Sequence, residues 1–280
     1  MLFAAELTVD HVTVAGKDLR TMQANLAAVG VPCEYGGPHQ NRATEMALAS
    51  FPDGSYLELI APQREADAKA LAAHPWAKFM EGGAGPCAWA VRVKDIQAEV
   101  QRLKGAGVAV AAPVRSGRTR PDGTRLEWET AQVGQEPNGT FFPFLIRDIT
   151  PRKERALPGG KPTARDFSGV TKVVIAVSDL EGAVKRYREA YGLPAPIKQV
   201  DAEFGAQLAL PGGTGVVLAA PLNSRSWLVA RLEQFGEGPC AFVLGSRKTS
   251  RLKPARQTRW FGADISWFDT AKLGWHLGFE

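Results

Sequence analysis

The sequence predicts an α+β protein built from tandem strand-helix-strand-strand-strand modules. Three observations carry that expectation: a strand-helix phrase that recurs three times, an apolar closing strand that recurs with it, and a Pro/Gly-rich stretch dividing the copies. The phrase opens with apolar alternation of period 2, as in a half-buried strand, and switches to helical periodicity after an Asp that can cap the helix. Each predicted helix stops at a Gly suited to the left-handed conformation that ends helices.

The first copy runs from His11 through Asp18 to Gly30, the second from Ala88 through Asp95 to Gly107, and the third from Lys172 through Asp179 to Gly192. Aligning them on the Asp puts His11, Ala88 and Lys172 at one place on the first strand. A fourth copy is partial. Gly85-Pro86-Cys87-Ala88-Trp89 reappears as Gly238-Pro239-Cys240-Ala241-Phe242, but Arg247 to Arg259 holds no apolar stripe, so the fourth helix is expected to be missing or shortened. The closing strand Tyr56 to Pro62 corresponds to Val216 to Pro221, and Phe144 to Pro151 is aligned with both. Between the first two copies, Glu65 to Glu81 is predicted as two short helical pieces, because His74-Pro75 interrupts the pattern. Ala156 to Asp166 carries two Pro and two adjacent Gly, which predicts a linker between a domain at 1–158 and a second, degenerate one at 166–280.

The chain has 280 residues, 45% hydrophobic and 22% charged, enough for two soluble domains. No apolar run approaches the length of about 18 residues that a membrane span needs. The opening Met-Leu-Phe-Ala-Ala-Glu lacks the basic start and long apolar stretch of a secretion signal, so the expected location is the cytoplasm. Cys33, Cys87 and Cys240 show no metal-ligand spacing, and the last two read as buried core thiols, with a catalytic thiol as the alternative. The net charge of +5 gathers at Arg115 to Arg125, at Arg152 to Arg155 and at Arg247 to Arg259. Without aromatic-basic interleaving this argues against nucleic acid. The clusters are either solvated loops or an electropositive rim that draws an anionic small molecule. The expected partner is a small-molecule ligand, with neither nucleic acid nor membrane, and the chain is expected to be a monomer or homodimer.

The ordered set Asp10-His11-Val12, Asp53 to Pro62, Gly85 to Trp89, Arg118 to Gly123 with Leu126 and Trp128, and Pro143-Phe144 resembles the glyoxalase-like domains of the vicinal oxygen chelate superfamily. That superfamily includes glyoxalase I, extradiol dioxygenases and bleomycin-resistance proteins. The resemblance implies that paired modules form curved mixed sheets around a cavity. It also implies a divalent metal (Zn, Mn, Ni or Fe) held by His on first strands and Glu on last strands.

Carried over position by position, the first module supplies His11 and Glu58, while the second offers Ala88 and Arg147 and the third Lys172 and Val217. Two protein ligands hold a divalent ion weakly. His39 is a candidate third ligand or a substrate-binding residue. Three readings of His11 and Glu58 stand open: metal ligands, a metal-free catalytic pair in which Glu58 fixes the imidazole tautomer, or a structural pair. Arg147 would either clamp a substrate anion or pair with an acid such as Asp148 or Glu127. Trp89 and Trp128 are candidate substrate-binding residues, whereas the aromatic residues from Trp260 to Phe279 read mainly as core.

Two function classes follow. One is an enzyme acting on a small oxygenated molecule, anionic or neutral, by metal-assisted or His/Glu proton-transfer chemistry of the lyase, isomerase or dioxygenase type. The other is a non-catalytic protein that sequesters a small molecule, as resistance proteins do.

Overall fold

The computed structural model describes residues 7–82, 84–120, 122–247 and 252–280, so the opening segment and the middle of the Arg247 to Arg259 cluster lie outside the described residues. In the first half the chain runs β1 (Val9–Ala15), α1 (Leu19–Ala28), β2 (Glu34–Pro38), β3 (Thr44–Ser50) and β4 (Tyr56–Pro62). Two short helices follow, α2 (Ala68–Ala72) and α3 (Ala77–Glu81). Then come β5 (Gly85–Arg92), α4 (Ile96–Gly105), β6 (Val114–Thr119), β7 (Arg125–Ala131), β8 (Phe144–Asp148) and the connecting helix α5 (Arg152–Ala156). The second half repeats the order as β9 (Phe167–Ala176), α6 (Leu180–Tyr191), β10 (Ile197–Asp201), β11 (Ala206–Leu210), β12 (Val216–Pro221), α7 (Trp227–Phe235), β13 (Gly238–Ser246), β14 (Arg256–Trp260), β15 (Ala263–Trp267), α8 (Thr270–Leu273) and β16 (His276–Phe279).

The repeated phrase folds as its chemistry dictates. Asp18, Asp95 and Asp179 each accept a hydrogen bond from a backbone amide three residues on. Gly30, Gly107 and Gly192 follow the helices with φ of 85°, 79° and 65°, where a Cβ would be strained. The fourth module has no helix between β13 and β14 among the described residues, and its one helical turn, α8, stands later, before β16.

Each half forms an eight-stranded curved mixed sheet, in the orders β2-β3-β4-β1-β5-β8-β7-β6 and β10-β11-β12-β9-β13-β16-β15-β14. β1 pairs parallel with β4 and antiparallel with β5, so paired modules meet at the sheet centre. The free edges approach one another. Arg118 Nη1 on β6 donates to Gly36 O on β2 at 2.7 Å, and the Gln199 side chain on β10 bridges to the chain at Arg259 and Phe261.

Strand alternation sorts the interior. Val12, Leu57, Trp89 and Leu145 of the first sheet, and Val173, Leu218, Phe242 and Leu277 of the second, point to the helix-bearing faces and share one buried cluster with α1, α4 and α6. The opposite, concave faces differ. In the second half Phe204, Trp260 and Trp267 fill the interior against Val174, Val217 and Val243, so aromatic packing occupies the space that the first half leaves open. Lys172, at the place of His11, pairs with Glu280 at 2.5 Å.

His276 is sandwiched in that aromatic interior, stacked on Trp227 at 4.2 Å and edge-on to Phe204. Burial, with a smaller push from Arg256, brings its imidazole down to about 4. Below the ordinary value of about 6.5 the unfolded chain takes up a proton that the folded chain refuses. Stability is therefore full above that value and falls on the order of 3 kcal/mol as pH drops towards 4. Urea unfolding at pH 7.5 and 4.5 checks this: His276→Phe is expected to lose clearly less stability than the parent chain between the two, and equal losses would remove His276 as the cause.

Candidate functional site

The concave face of the first sheet encloses a cavity of about 390 Å³. Period-2 alternation aims His11 from β1, Tyr56, Glu58 and Ile60 from β4, Ser116 and Arg118 from β6, Trp128 from β7, and Phe144 and Ile146 from β8 into it. The break between α2 and α3, where Pro75 stops the helix, adds His74 and Trp76.

Glu58 is 8% exposed and sits between two imidazoles. Its Oε2 lies 3.9 Å from His11 Nε2, and its Oε1 lies 3.8 Å from His39 Nε2. Both gaps exceed a hydrogen bond. The carboxylate's shortest hydrogen bond comes from Thr13 Oγ1 at 3.5 Å, so this buried base is poorly satisfied by the protein itself. His39 Nδ1 is bonded to Thr44 Oγ1 at 2.8 Å. Burial lowers the affinity of His39 for a proton, Glu58 opposes that, and Arg118 adds to it, leaving the ring below its ordinary value.

The carboxylate that orients His11 is Asp10, not Glu58 as the tautomer reading had it. Asp10 Oδ1 accepts from His11 Nδ1 at 2.7 Å and leaves Nε2 turned towards Glu58. Neighbours on a regular strand point to opposite faces, but the β1–β5 ladder shifts register between Val9 and His11, so Asp10 is the extra residue of a bulge. Asp10 is fully buried and also bonded by Arg155 Nη2 at 2.9 Å and by Arg152. Burial alone would push its carboxyl up, but Arg155, with His11 and Arg152, outweighs this and holds it well below the usual carboxylate range. Arg155 also donates to Tyr56 OH at 2.7 Å, and the Tyr56 ring stacks on His11 at 4.8 Å. Arg152 donates to the carbonyl of Gly54, in the turn between β3 and β4. Helix α5 thus clamps the floor of the cavity and fixes the His11 ring.

Of the residues singled out in the sequence, His11, His39, Glu58 and Trp128 come together in the cavity. Arg147 and Trp89 do not line it. Glu58 stands opposite Thr13 across β1–β4, and the matching pair across β5–β8 is Ala90 with Phe144. Phe144 therefore takes the position assigned to Arg147. Three residues further on, Arg147 points away from the cavity and pairs with Glu129 at 2.8 Å. The slip has a local cause: Pro62 ends β4, whereas after β8 the amides of Ile149 and Thr150 first bond back to Glu127 O before Pro151. Trp89 lies between Ala88 and Ala90 on the helix-bearing face, wholly buried in the shared core. Asp10, Arg118, Arg155 and Trp76 were missed as site residues, although Ser116 and Arg118 alternate within a basic run that the sequence does display. None of the three thiols lines the cavity, and burial raises all of them, Cys33 and Cys240 to about 12 and Cys87 well above its ordinary value.

Comparison with known proteins fits this architecture. The family model of the glyoxalase-like domain matches residues 9–191. The chain belongs to the glyoxalase-like domain family. Its fold is the paired-module fold of the vicinal oxygen chelate superfamily. A hypothetical protein from Staphylococcus aureus superposes with a TM-score of 0.65 at 13% identity, covering 98% of each chain. A triple mutant of 4-hydroxymandelate synthase from Streptomyces coelicolor gives 0.58 at 15% identity, over 86% of this chain and 71% of that one. Methylmalonyl-CoA epimerase from Mycobacterium tuberculosis gives 0.36 at 18% identity, over 41% of this chain and 87% of that one. The first two likenesses show the fold. A search of curated proteins finds no match. Among the described residues no helix is long and apolar enough to cross a membrane.

A divalent metal is the cofactor this fold suggests, and the donor set does not fit one as it stands. Donors arranged tetrahedrally around an ion at about 2.1 Å lie about 3.4 Å apart, and Glu58 is 3.9 and 3.8 Å from His11 and His39, beyond that spacing. Among the described residues no three His, Cys, Asp or Glu side chains are arranged to hold an ion. Calorimetric titration of tag-free protein with Zn, Mn or Ni is therefore expected to show at best affinity on the order of micromolar. His11→Ala should abolish it and Lys172→Ala leave it intact. Tight stoichiometric binding that survives His11→Ala would place an ion elsewhere.

Proposed function

We propose that this glyoxalase-like protein is an enzyme that binds a small oxygenated molecule in the first-sheet cavity and moves a proton on it, with Glu58 as the base and His11 as its partner. The observation that carries this is the under-bonded, nearly buried Glu58 carboxylate held between two imidazole nitrogens, each just beyond hydrogen-bond reach. Such a carboxylate gains most by accepting a proton from a ligand atom placed in that gap. His11, fixed by Asp10 and stacked on Tyr56, presents Nε2 to the same place; because Nδ1–H is already bonded to Asp10, only the doubly protonated ring can hydrogen-bond from Nε2, or give its proton, to the oxygen that becomes an enolate. The apolar walls of Phe144, Ile60, Ile146 and Trp128 limit water around the reacting carbon.

The test is deuterium incorporation. The protein is incubated in D2O with compact 2-oxo acids such as phenylpyruvate and 4-methyl-2-oxopentanoate, and proton NMR follows loss of the signal beside the carbonyl. Enzyme-dependent exchange above the buffer rate is expected for at least one of them. Binding without exchange across the series would favour the sequestering protein instead.

A further inference from the structure

We propose that the cavity is built for a carboxylate, anchored by Arg118 and assisted by the indole Nε1 of Trp76. The inference rests on the cavity being the functional site and adds the class of ligand that it takes.

Arg118 is 2% exposed. Its Nη1 is spent on the seam, donating to Gly36 O at 2.7 Å, but its Nη2 is buried without a partner among the described residues. No acid lies within ion-pair distance of it there. Arg155, equally buried, shows the usual arrangement, with Asp10 and Asp148 both bonded to its guanidinium. A buried guanidinium with an idle N–H and no counter-ion is costly. Burial lowers its hold on its proton, while Tyr56 and Glu58 offset that from across the cavity. A ligand carboxylate supplies both the missing charge and the missing acceptor.

A second, independent donor lines the same cavity. Trp76 Nε1 is buried and lacks a partner among the described residues. The two unpartnered donors stand on separate elements, β6 and the break between α2 and α3, of residues that line one cavity, and each is assigned one oxygen of the ligand carboxylate. Asn138 also lines the cavity, and its Oδ1, without a partner among the described residues, can accept from a ligand hydroxyl. Phe144, Trp128, Met46, Ile60 and Ile146 form the rest of the wall. About 390 Å³ lies towards the small end of ligand pockets, about 300–1,000 Å³. The ligand class is therefore a compact carboxylic acid with an apolar body.

The experiment is calorimetric binding of phenylpyruvate and 4-methyl-2-oxopentanoate, of their uncharged methyl esters, and of benzyl phosphate to the whole chain and its variants. At least one acid is expected to bind at least tenfold more tightly than its ester and than the phosphate. Arg118→Met should weaken the acid about 10- to 100-fold and the ester by less than about threefold. Because Arg118 also closes the seam, Trp76→Phe provides the second arm: it leaves the seam untouched and should weaken the acid about 2- to 10-fold. Esters binding as well as acids, a preference for the phosphate, no binding by either acid, or acid affinity unchanged in both variants would overturn the anchor. Its failure separates from failure of the proton-transfer reading. Acid binding that depends on Arg118 without deuterium exchange keeps the anchor and removes the enzyme, whereas exchange that proceeds equally on the ester keeps the base and removes the anchor.

Discussion

Glu58→Gln is expected to lower enzyme-dependent deuterium exchange about 100- to 10,000-fold, the usual contribution of a positioned general base. The amide keeps the shape and burial of the carboxylate but offers a far weaker base. Ligand affinity should stay within a few-fold, because the proposed anchor lies at Arg118 and Trp76. The loss therefore falls on the turnover rate and not on binding. His11→Gln should give a smaller loss, since it removes the proton partner while Glu58 remains. If Glu58→Gln instead abolished binding and the remaining bound fraction exchanged at the parent rate, Glu58 would be a structural member of the wall.

The largest expected loss of stability comes from Arg155→Met. Arg155 is 3% exposed, and its guanidinium meets Asp10, Tyr56 and Asp148. Deleting one partner of a buried ion network leaves uncompensated charge and costs about 3–5 kcal/mol. Asp10, wholly buried, would keep Arg152 and His11 as its side-chain partners among the described residues. Chemical denaturation should show that loss, and the double variant with Asp10→Asn should recover part of it, because the orphaned charge is then gone. The pH dependence has a fixed sign. The Asp10 carboxyl lies below its ordinary value when folded, so its contribution is full above about pH 4 and is lost as pH falls through the folded value. Arg155→Met should therefore lose stability less steeply in acid than the parent. Additive losses in the double variant would mean that Arg155 and Asp10 act independently.

The sequence made the module order, the Asp caps, the Gly helix ends and the break at His74-Pro75 readable, because each is a local choice by a few neighbouring residues. His11 and Glu58 were singled out together only through the family resemblance, which carries over both positions; their side chains stand 3.9 Å apart. The orienting role of Asp10 was hidden, because it depends on a bulge that no alternation pattern shows. The error at Arg147 came from treating the prolines after two closing strands as equivalent, when Ile149 and Thr150 extend one of the exits. Arg118 looked like one more surface cation in a basic run. Only the meeting of two distant sheet edges, β2 and β6, buries it. The filled second interior was half legible: its aromatic residues read as core, but nothing local told that Trp260 and Trp267 occupy the space matching the first cavity.

The most direct test of the account is a crystal structure of the protein with bound phenylpyruvate. The account predicts the ligand inside the first-sheet cavity, its carboxylate on Arg118 Nη2 and Trp76 Nε1 at hydrogen-bond distance, and its acidic carbon within about 3.5 Å of a Glu58 oxygen. A ligand held elsewhere, or one in the cavity with its carboxylate turned from Arg118 and its acidic carbon remote from Glu58, would contradict it.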